Sequence, residues 1–508
     1  MTRRLIWAGF GILATLVGMA AGHLVAASTN PAASPVLTVG STVIDLTPTP
    51  MKEWAIRTFG DDDKAVLVGS VMLGALVLAG VAGLLARRRF LLGAGVLVVL
   101  VASAAVMALL RPGATALDVL PAIAAGVVGV TALSWLVRLA RREHGDRGEQ
   151  ADRAVTAPSR RGVLLAAGAL TAAAAALAGA GQWITARRTT PAAVSLPQPA
   201  DPAPALPGDL RGKIPGISRL QTPTSSFYRV DTRLTLPIVD LDDWRLTIDG
   251  DVESELTFTY EDLLKLPMIE RDITLTCVSN DVGGPYVGGA RWLGVPLSDL
   301  LDRAKVGSRA DQIFSTDVDG MTISTPLEMA MAEKDAMLAI GMNGEALPQE
   351  HGFPARMVIP GLYGFISATK WITRMTLATY DENQAYWTGR GWATDAPIKI
   401  ASRIDTPQSF STIEGGDTFI GGVAWAQTRG IGKVEVQVDG GAWQEAELGP
   451  EVGVDYWRQW YLPWTAEPGD HDLSVRATDL DGEVQTDAKA APFPNGSSGR
   501  QRIIVTVG

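Results

Sequence analysis

The chain has 508 residues, more than one ordinary domain holds. Its formal net charge of −10 argues against a nucleic-acid partner. A single cysteine, Cys277, excludes an intramolecular disulfide framework and a cluster held by four thiolates of the same chain.

Hydrophobic residues make up 47% of the chain and crowd into its first third. Five apolar runs, at about 5–27, 65–86, 90–110, 115–137 and 162–184, each approach the ~20 residues a helix needs to cross hydrocarbon. They predict a five-helix transmembrane domain over 1–188. Arg3 and Arg4 precede the first run, Arg87 to Arg89 follow the second, and Arg138, Arg141, Arg142, Arg147, Arg153, Arg160 and Arg161 precede the fifth. Asp61 to Asp63 lie on the other side. Basic residues favour the cytoplasmic side, so the N-terminus is expected inside and everything after the fifth helix outside, on a plasma membrane. Arg187 and Arg188 run against this and are outnumbered. The stretch 159-SRRGVLLAAGAL-170 has the paired arginine and weakly hydrophobic run of a twin-arginine export signal, a pattern that positive-inside flanking also produces. Of four histidines, only His23 falls in or near a span, which argues against a bis-histidine haem; the scarcity of ionisable residues argues against an ion pathway.

Residues 189–215, with 196-LPQPADPAPALPGDL-210, read as an extended Pro/Ala linker. Beyond it, 244–250, 255–260 and 273–276 alternate as strands do, while 260–267, 296–304 and 326–333 read as short helices. Strands mixed with short helices predict an α+β domain over 216–400. From 401 to 508 the pattern becomes short alternating strands at 417–425, 433–441, 456–464, 471–479 and 501–507, with Asp439-Gly440 and Asp481-Gly482 as turn signals. This predicts an immunoglobulin-like β-sandwich without its disulfide.

The chemistry is expected around 273-ITLTCVSNDVGGPYVGGARWLGVPL-297. Cys277 ends a predicted strand beside a glycine-rich loop, a placement that suits a soft metal ligand as well as an inert buried thiol. Three segments in order decide between these: 275-LTCVSN-280 with 289-GARWLGVPLSDLL-301, then 351-HGFPARMVIPGLYGFISATKW-371, with a weaker match at 225-SSFYRVD-231. Together they resemble the sulfite oxidase family of molybdenum enzymes.

The resemblance implies a molybdopterin-dependent oxidoreductase in which Cys277 ligates molybdenum. It implies that the cofactor lies against Phe227, Tyr228, Arg229, Thr316, His351, Arg356, Ser367, Thr369 and Lys370, with Lys370 at the phosphate end, and that the C-terminal sandwich pairs two subunits. The sequence departs from the pattern after the cysteine. Asp281 and Val282 stand where sulfite oxidases carry a sulfite-binding arginine, and Trp392 stands at the position of an active-site tyrosine. The expected reaction is therefore oxygen-atom transfer on a small S- or N-oxide-type substrate rather than on sulfite, with Tyr286 and Trp392 beside Cys277 and Tyr363 as a further wall. Electrons are expected to pass to or from a separate cytochrome or quinone-linked protein. The alternative is a cofactor-free scaffold tethered in the cell envelope.

Overall fold

The computed structural model describes residues 2–59, 62–145, 160–188 and 194–508. They fall into two compact units, one of residues Met1–Pro191 with Thr232–Ile238, the other of Ala192–Asp231 with Val239–Gly508.

The first unit is helical: α1 (Thr2–Ser28), α2 (Pro35–Leu46), α3 (Thr49–Phe59), α4 (Asp63–Arg88), α5 (Phe90–Leu109), α6 (Leu120–Gly145) and α7 (Arg160–Arg188). Five helices among the described residues are long and apolar enough to cross a membrane: Arg4–Ser28, Asp63–Arg88, Phe90–Leu109, Ala116–Arg141 and Gly162–Arg188. These are the five runs legible in the sequence. The intervening α2, with 12 residues, is apolar but too short to span. Helix α1 is central and touches α4, α6 and α7. Small residues allow this approach: a side chain at Gly11 or Gly83 would collide with the backbone of the facing helix. Much of the arginine-rich connection before α7, including Arg147 and Arg153, lies outside the described residues, as do Asp61 and Ser159 of the export-signal stretch.

The second unit begins with strand β1 (Arg245–Gly250), β2 (Leu256–Thr259), helix α8 (Tyr260–Leu264), β3 (Ile269–Thr276), β4 (Val287–Pro296), α9 (Leu297–Ala304), β5 (Gln312–Asp317), β6 (Thr322–Pro326), α10 (Leu327–Ala332), β7 (Met337–Met342), β8 (Glu345–Ala346), β9 (Arg356–Val358), α11 (Gly364–Ser367) and β10 (Ile372–Ala378). Two sheets result: a mixed one ordered β2-β1-β10-β5-β6, with β1 and β10 parallel, and an antiparallel one ordered β3-β4-β7-β8 with β9 also on β7. Helix α9 shows how the pattern acts: Leu297, Leu300, Leu301 and Ala304 recur at helical spacing and are all buried. Left-handed Lys305 ends it.

The remaining strands are β11 (Ala401–Thr406), β12 (Thr412–Ile413), β13 (Gly416–Trp425), β14 (Ile431–Val438), β15 (Gln444–Glu445), β16 (Glu447–Leu448), β17 (Arg458–Ala466), β18 (Gly469–Asp479) and β19 (Arg502–Val507). They make two sheets, β11-β13-β17-β16 and β12-β19-β18-β14-β15, whose inward residues, among them Ile420, Trp460, Val434, Val475 and Val505, form one core.

This sandwich and the α+β part are not separate bodies. Val423, Trp425, Tyr456 and Trp457 of the C-terminal part belong to the same buried cluster as Leu246, Leu293 and Met375. The Pro/Ala segment expected as a spacer is, from residue 194 on, laid along this unit: Ala200 N–H donates to Met268 O and Glu270 N–H to Asp201 O, continuing the free edge of β3. Extended proline-rich chain has the shape to do this.

Candidate functional site

Strand β3 ends in Thr276, and Cys277 opens the loop that returns to β4. The loop is stapled at both ends. Cys277 N–H donates to Tyr286 O at 3.0 Å, and the buried Asn280 side chain accepts the Tyr286 N–H at 2.8 Å. Gly283 takes a φ of +78°, and a side chain there would strike Gln501 of the sandwich. The Cys277 thiol is 9% exposed and lies 2.9 Å from Ser279 Oγ. Burial pushes the thiol pKa up; the Ser279 hydrogen bonds and the Lys370 charge pull in the opposite direction.

Aromatic side chains surround it. Tyr228 and Tyr363 are both buried, which pushes their pKa up, and the Cys277 charge acts in the same direction on both. Tyr228 stacks on Phe227 at 5.2 Å and sits 6.3 Å from the Tyr286 ring. Phe227 meets Trp292 edge-on at 5.9 Å and His351 at 5.5 Å.

Beside this wall stand three cations. Arg356 is 6% exposed, donates from Nη1 to His351 O at 3.1 Å and lies over the Trp292 ring. Its buried Nε has no hydrogen-bond partner. Lys370 Nζ reaches Asp231 at 2.8 Å and Glu350 O at 3.3 Å, and Asp231 also accepts from Arg229 Nε at 2.7 Å. Burial lowers the Lys370 pKa to about 8, against the raising effect of Asp231. His351 Nε2 lies 3.1 Å from Thr224 O, an acceptor, so Nε2 carries the proton of the neutral ring. Burial first, then the Arg356 charge, lowers its pKa to about 4.

Most of the expected residues thus converge: Cys277, Phe227, Tyr228, Tyr286, His351 and Arg356 form one wall, with Lys370 and Arg229 joined through Asp231. Thr369 is buried, its hydroxyl 2.6 Å from Ser315. Successive strand residues point to opposite faces, so β5 presents Ser315 to Thr369 and turns Thr316 to the other face. The Ser367 hydroxyl donates to the Leu362 and Tyr363 carbonyls at 3.0 and 3.1 Å. Trp392 packs against Phe365, Trp387 and Phe493.

Sequence reasoning missed Asp231, although it stands two positions after Arg229 in SSFYRVD. It also missed the sandwich's part. Gln427 Nε2 donates to Thr274 O at 3.0 Å, Trp457 N–H to Thr274 Oγ1 at 2.8 Å, and Ser497 Oγ to Asn280 O at 2.6 Å. Arg403 donates to Gly284 O at 2.9 Å. No local motif marks these residues, because they act across more than a hundred positions of chain.

Known proteins can now be compared with this arrangement. Residues 233–387 match the family described as "Oxidoreductase molybdopterin binding domain". The mitochondrial sulfite oxidase of Rattus norvegicus is 30% identical over 318 residues, covering 53% of this chain and 58% of that protein. This region therefore carries a molybdopterin-binding oxidoreductase domain similar to that of sulfite oxidases. An NADH nitrate reductase of Brassica napus is 31% identical over 193 residues, covering 33% of this chain and 21% of that protein. The crystal structure of the sulfane dehydrogenase SoxCD from Paracoccus pantotrophus superposes with a TM-score of 0.50 at 26% identity, covering 59% of this chain and 82% of that one. The chain spans only a little over half the length of the mammalian sulfite oxidases it matches.

The side chains present fit the molybdopterin cofactor that this domain binds. A thiol is a soft ligand of the kind molybdenum requires. An anionic phosphate tail requires buried donors and cations, and the unpartnered Arg356 Nε and the buried Lys370 are such groups. Among the described residues, no cluster of three or more His, Cys, Asp and Glu offers an alternative metal site.

Proposed function

We propose that this protein is a membrane-anchored molybdenum oxidoreductase, facing the extracytoplasmic side, that transfers oxygen on a small, uncharged S- or N-oxide. The bundle anchors it, the twin-arginine stretch directs export of the folded domain, and the immunoglobulin-like sandwich pairs two copies. The observation that carries the substrate reading is the ring around Cys277. Asp281 and Val282 replace a cation in its loop, and the buried Tyr228 and Tyr363 hydroxyls feel the Cys277 charge, while Tyr286 closes the loop through its backbone.

Cys277 would ligate molybdenum; Phe227, Tyr228, Arg229, His351, Arg356, Thr369 and Lys370 would hold the pterin and its phosphate. The bound centre supplies two-electron oxygen-atom chemistry. For a sulfoxide, the overall change is loss of oxygen as water with uptake of two electrons and two protons. The chain's own part is to orient and to donate. Tyr363 receives the Lys399 backbone N–H at its hydroxyl, and burial pushes its pKa up to about 12, so Oη keeps a proton to donate at neutral pH. A neutral donor suits a polarised S=O oxygen, whereas an anion such as sulfite would find no arginine on the Cys277 loop.

A second reading, oxidation of a sulfane sulfur, draws support from the likeness to SoxCD. Molybdenum content and turnover of the purified protein decide. About one molybdenum per chain with reduction of dimethyl and methionine sulfoxides supports the first reading. Fast sulfite turnover at low KM overturns it, sulfane oxidation favours the second, and absence of metal leaves a tethered scaffold.

A further inference from the structure

Outside the site above, the polar feature of the protein that stands out as unused is His23. It lies in α1, five residues before the helix end at Ser28, and no hydrogen-bond partner faces it among the described residues. An unpartnered polar side chain in a spanning helix is costly unless it meets a ligand. Gln182 lies six residues before the end of α7 at Arg188 and is likewise unpartnered. At about 1.5 Å per residue both sit roughly 8–9 Å below their helix ends, at one depth. The two helices meet there. Arg188 Nη1 donates to Ala27 O at 2.6 Å, and a side chain on Gly181 would touch the His23 ring at 2.7 Å.

His23 and Gln182 open onto a cavity of about 630 Å³, together with Ser34. Ser34 is 4% exposed and makes no cap hydrogen bond with its side chain. The lining contains no Lys, Arg, Asp or Glu; the rest is aliphatic apart from a few threonines. A second cavity of about 290 Å³ shares Met19 and Val36 with the first and is lined almost wholly by aliphatic side chains, including Leu78, Leu97 and Leu100. The first cavity thus offers uncharged hydrogen-bonding groups, and the one beside it offers hydrocarbon with a single hydroxyl, that of Thr15. A phospholipid phosphate would lack a cation. A neutral ring bearing carbonyl oxygens and an isoprenoid tail would satisfy both chambers, with His23 and Gln182 as donors to the ring.

We propose that this pair of cavities binds a membrane quinone, ring against His23 and Gln182 and tail in the second chamber. The inference rests on the bundle's spanning a membrane and deepens the reading of the protein as a redox enzyme, but it does not depend on molybdenum at Cys277.

The test uses the full-length protein in lipid nanodiscs, titrated with decylubiquinone. Binding is followed by quenching of tryptophan fluorescence, to which Trp183 beside Gln182 contributes. Saturable quenching is expected, with Kd raised at least tenfold in Gln182→Leu and in His23→Phe, and lost in Gly181→Leu. Gln182 lines the cavity but is exposed, so Gln182→Leu retains the fold and keeps the test decisive if Gly181→Leu does not. Molybdenum content, measured on the same samples, stays at the wild-type value in all three. Non-saturable quenching, or equal Kd in wild type and Gln182→Leu, overturns the proposal. So does a tightly held phospholipid in solvent extracts that decylubiquinone does not displace. A protein that binds the quinone but holds no molybdenum refutes the enzyme reading and leaves this one standing.

Discussion

The His351→Gln substitution tests the electrostatics of the pocket directly. His351 is 3% exposed at its side chain, packed edge-on against Phe227, and has its pKa lowered from 6.5 to about 4, chiefly by burial. The unfolded chain therefore binds a proton at a higher pH than the folded one. The stability this neutral ring contributes is complete above pH 6.5 and is lost as pH falls from 6.5 towards 4. The full difference of about 2.5 pH units corresponds to about 3.4 kcal/mol, and about 2 kcal/mol of it falls between pH 7.5 and 5.0. Glutamine cannot titrate and keeps an N–H for Thr224 O, so the variant should lack this component. In thermal melts of molybdenum-depleted, full-length protein, the wild type should lose about 4 °C more than His351→Gln over that range, at roughly 2 °C per kcal/mol for a unit of this size. Other titrating groups cancel in the comparison. Equal acid sensitivity of the two proteins would show that the ring is not held neutral by burial, and would refute the reasoning.

Cys277→Ala should remove bound molybdenum while leaving the melting profile of metal-free protein within about 1–2 °C, since it deletes one buried sulfur; elemental analysis with a melt checks both. Gly289→Ala should destabilise the second unit by about 1–3 kcal/mol, because a Cβ there would lie 2.6 Å from the Tyr456 ring and 2.8 Å from Trp457 Nε1. Urea unfolding would report it. Trp457→Phe leaves the Leu220 carbonyl without one of its two donors, the other being the Tyr456 hydroxyl. A loss of about 1–2 kcal/mol is expected in the same assay, less than the cost of an orphaned group.

The elements most legible in the sequence were those with strong periodicity or a hard length constraint. The five spans and α9 fall where hydropathy and helical spacing put them, because hydrocarbon thickness and a buried stripe permit little else. Helices α2 and α3 were not legible, since neither length nor composition marks a short helix lying between spans. At the site, the wall around Cys277 was readable through three motifs. The contact of Ser315 with Thr369 was not, because it requires knowing which face of β5 meets the 364–370 turn. Asp231 was not either, because its role is to join Arg229 and Lys370, which only tertiary contact brings together. The spacer expected over 189–215 turned into packed chain from residue 194 for a similar reason: the free edge of β3 that it covers is invisible until the sheet exists.

The hydrogen bonds that Gln427, Trp457 and Ser497 send to the strand and loop carrying Cys277 have a consequence for how this protein can be taken apart. A truncation near residue 400 would not release a self-sufficient redox module. It would strip the thiol-bearing strand and its loop of three donors and expose the face of the core that Trp425, Tyr456 and Trp457 cover. The sandwich is thus a second half of the scaffold that sets where the sulfur points, and anyone recombining these parts with those of a relative would have to exchange both halves together.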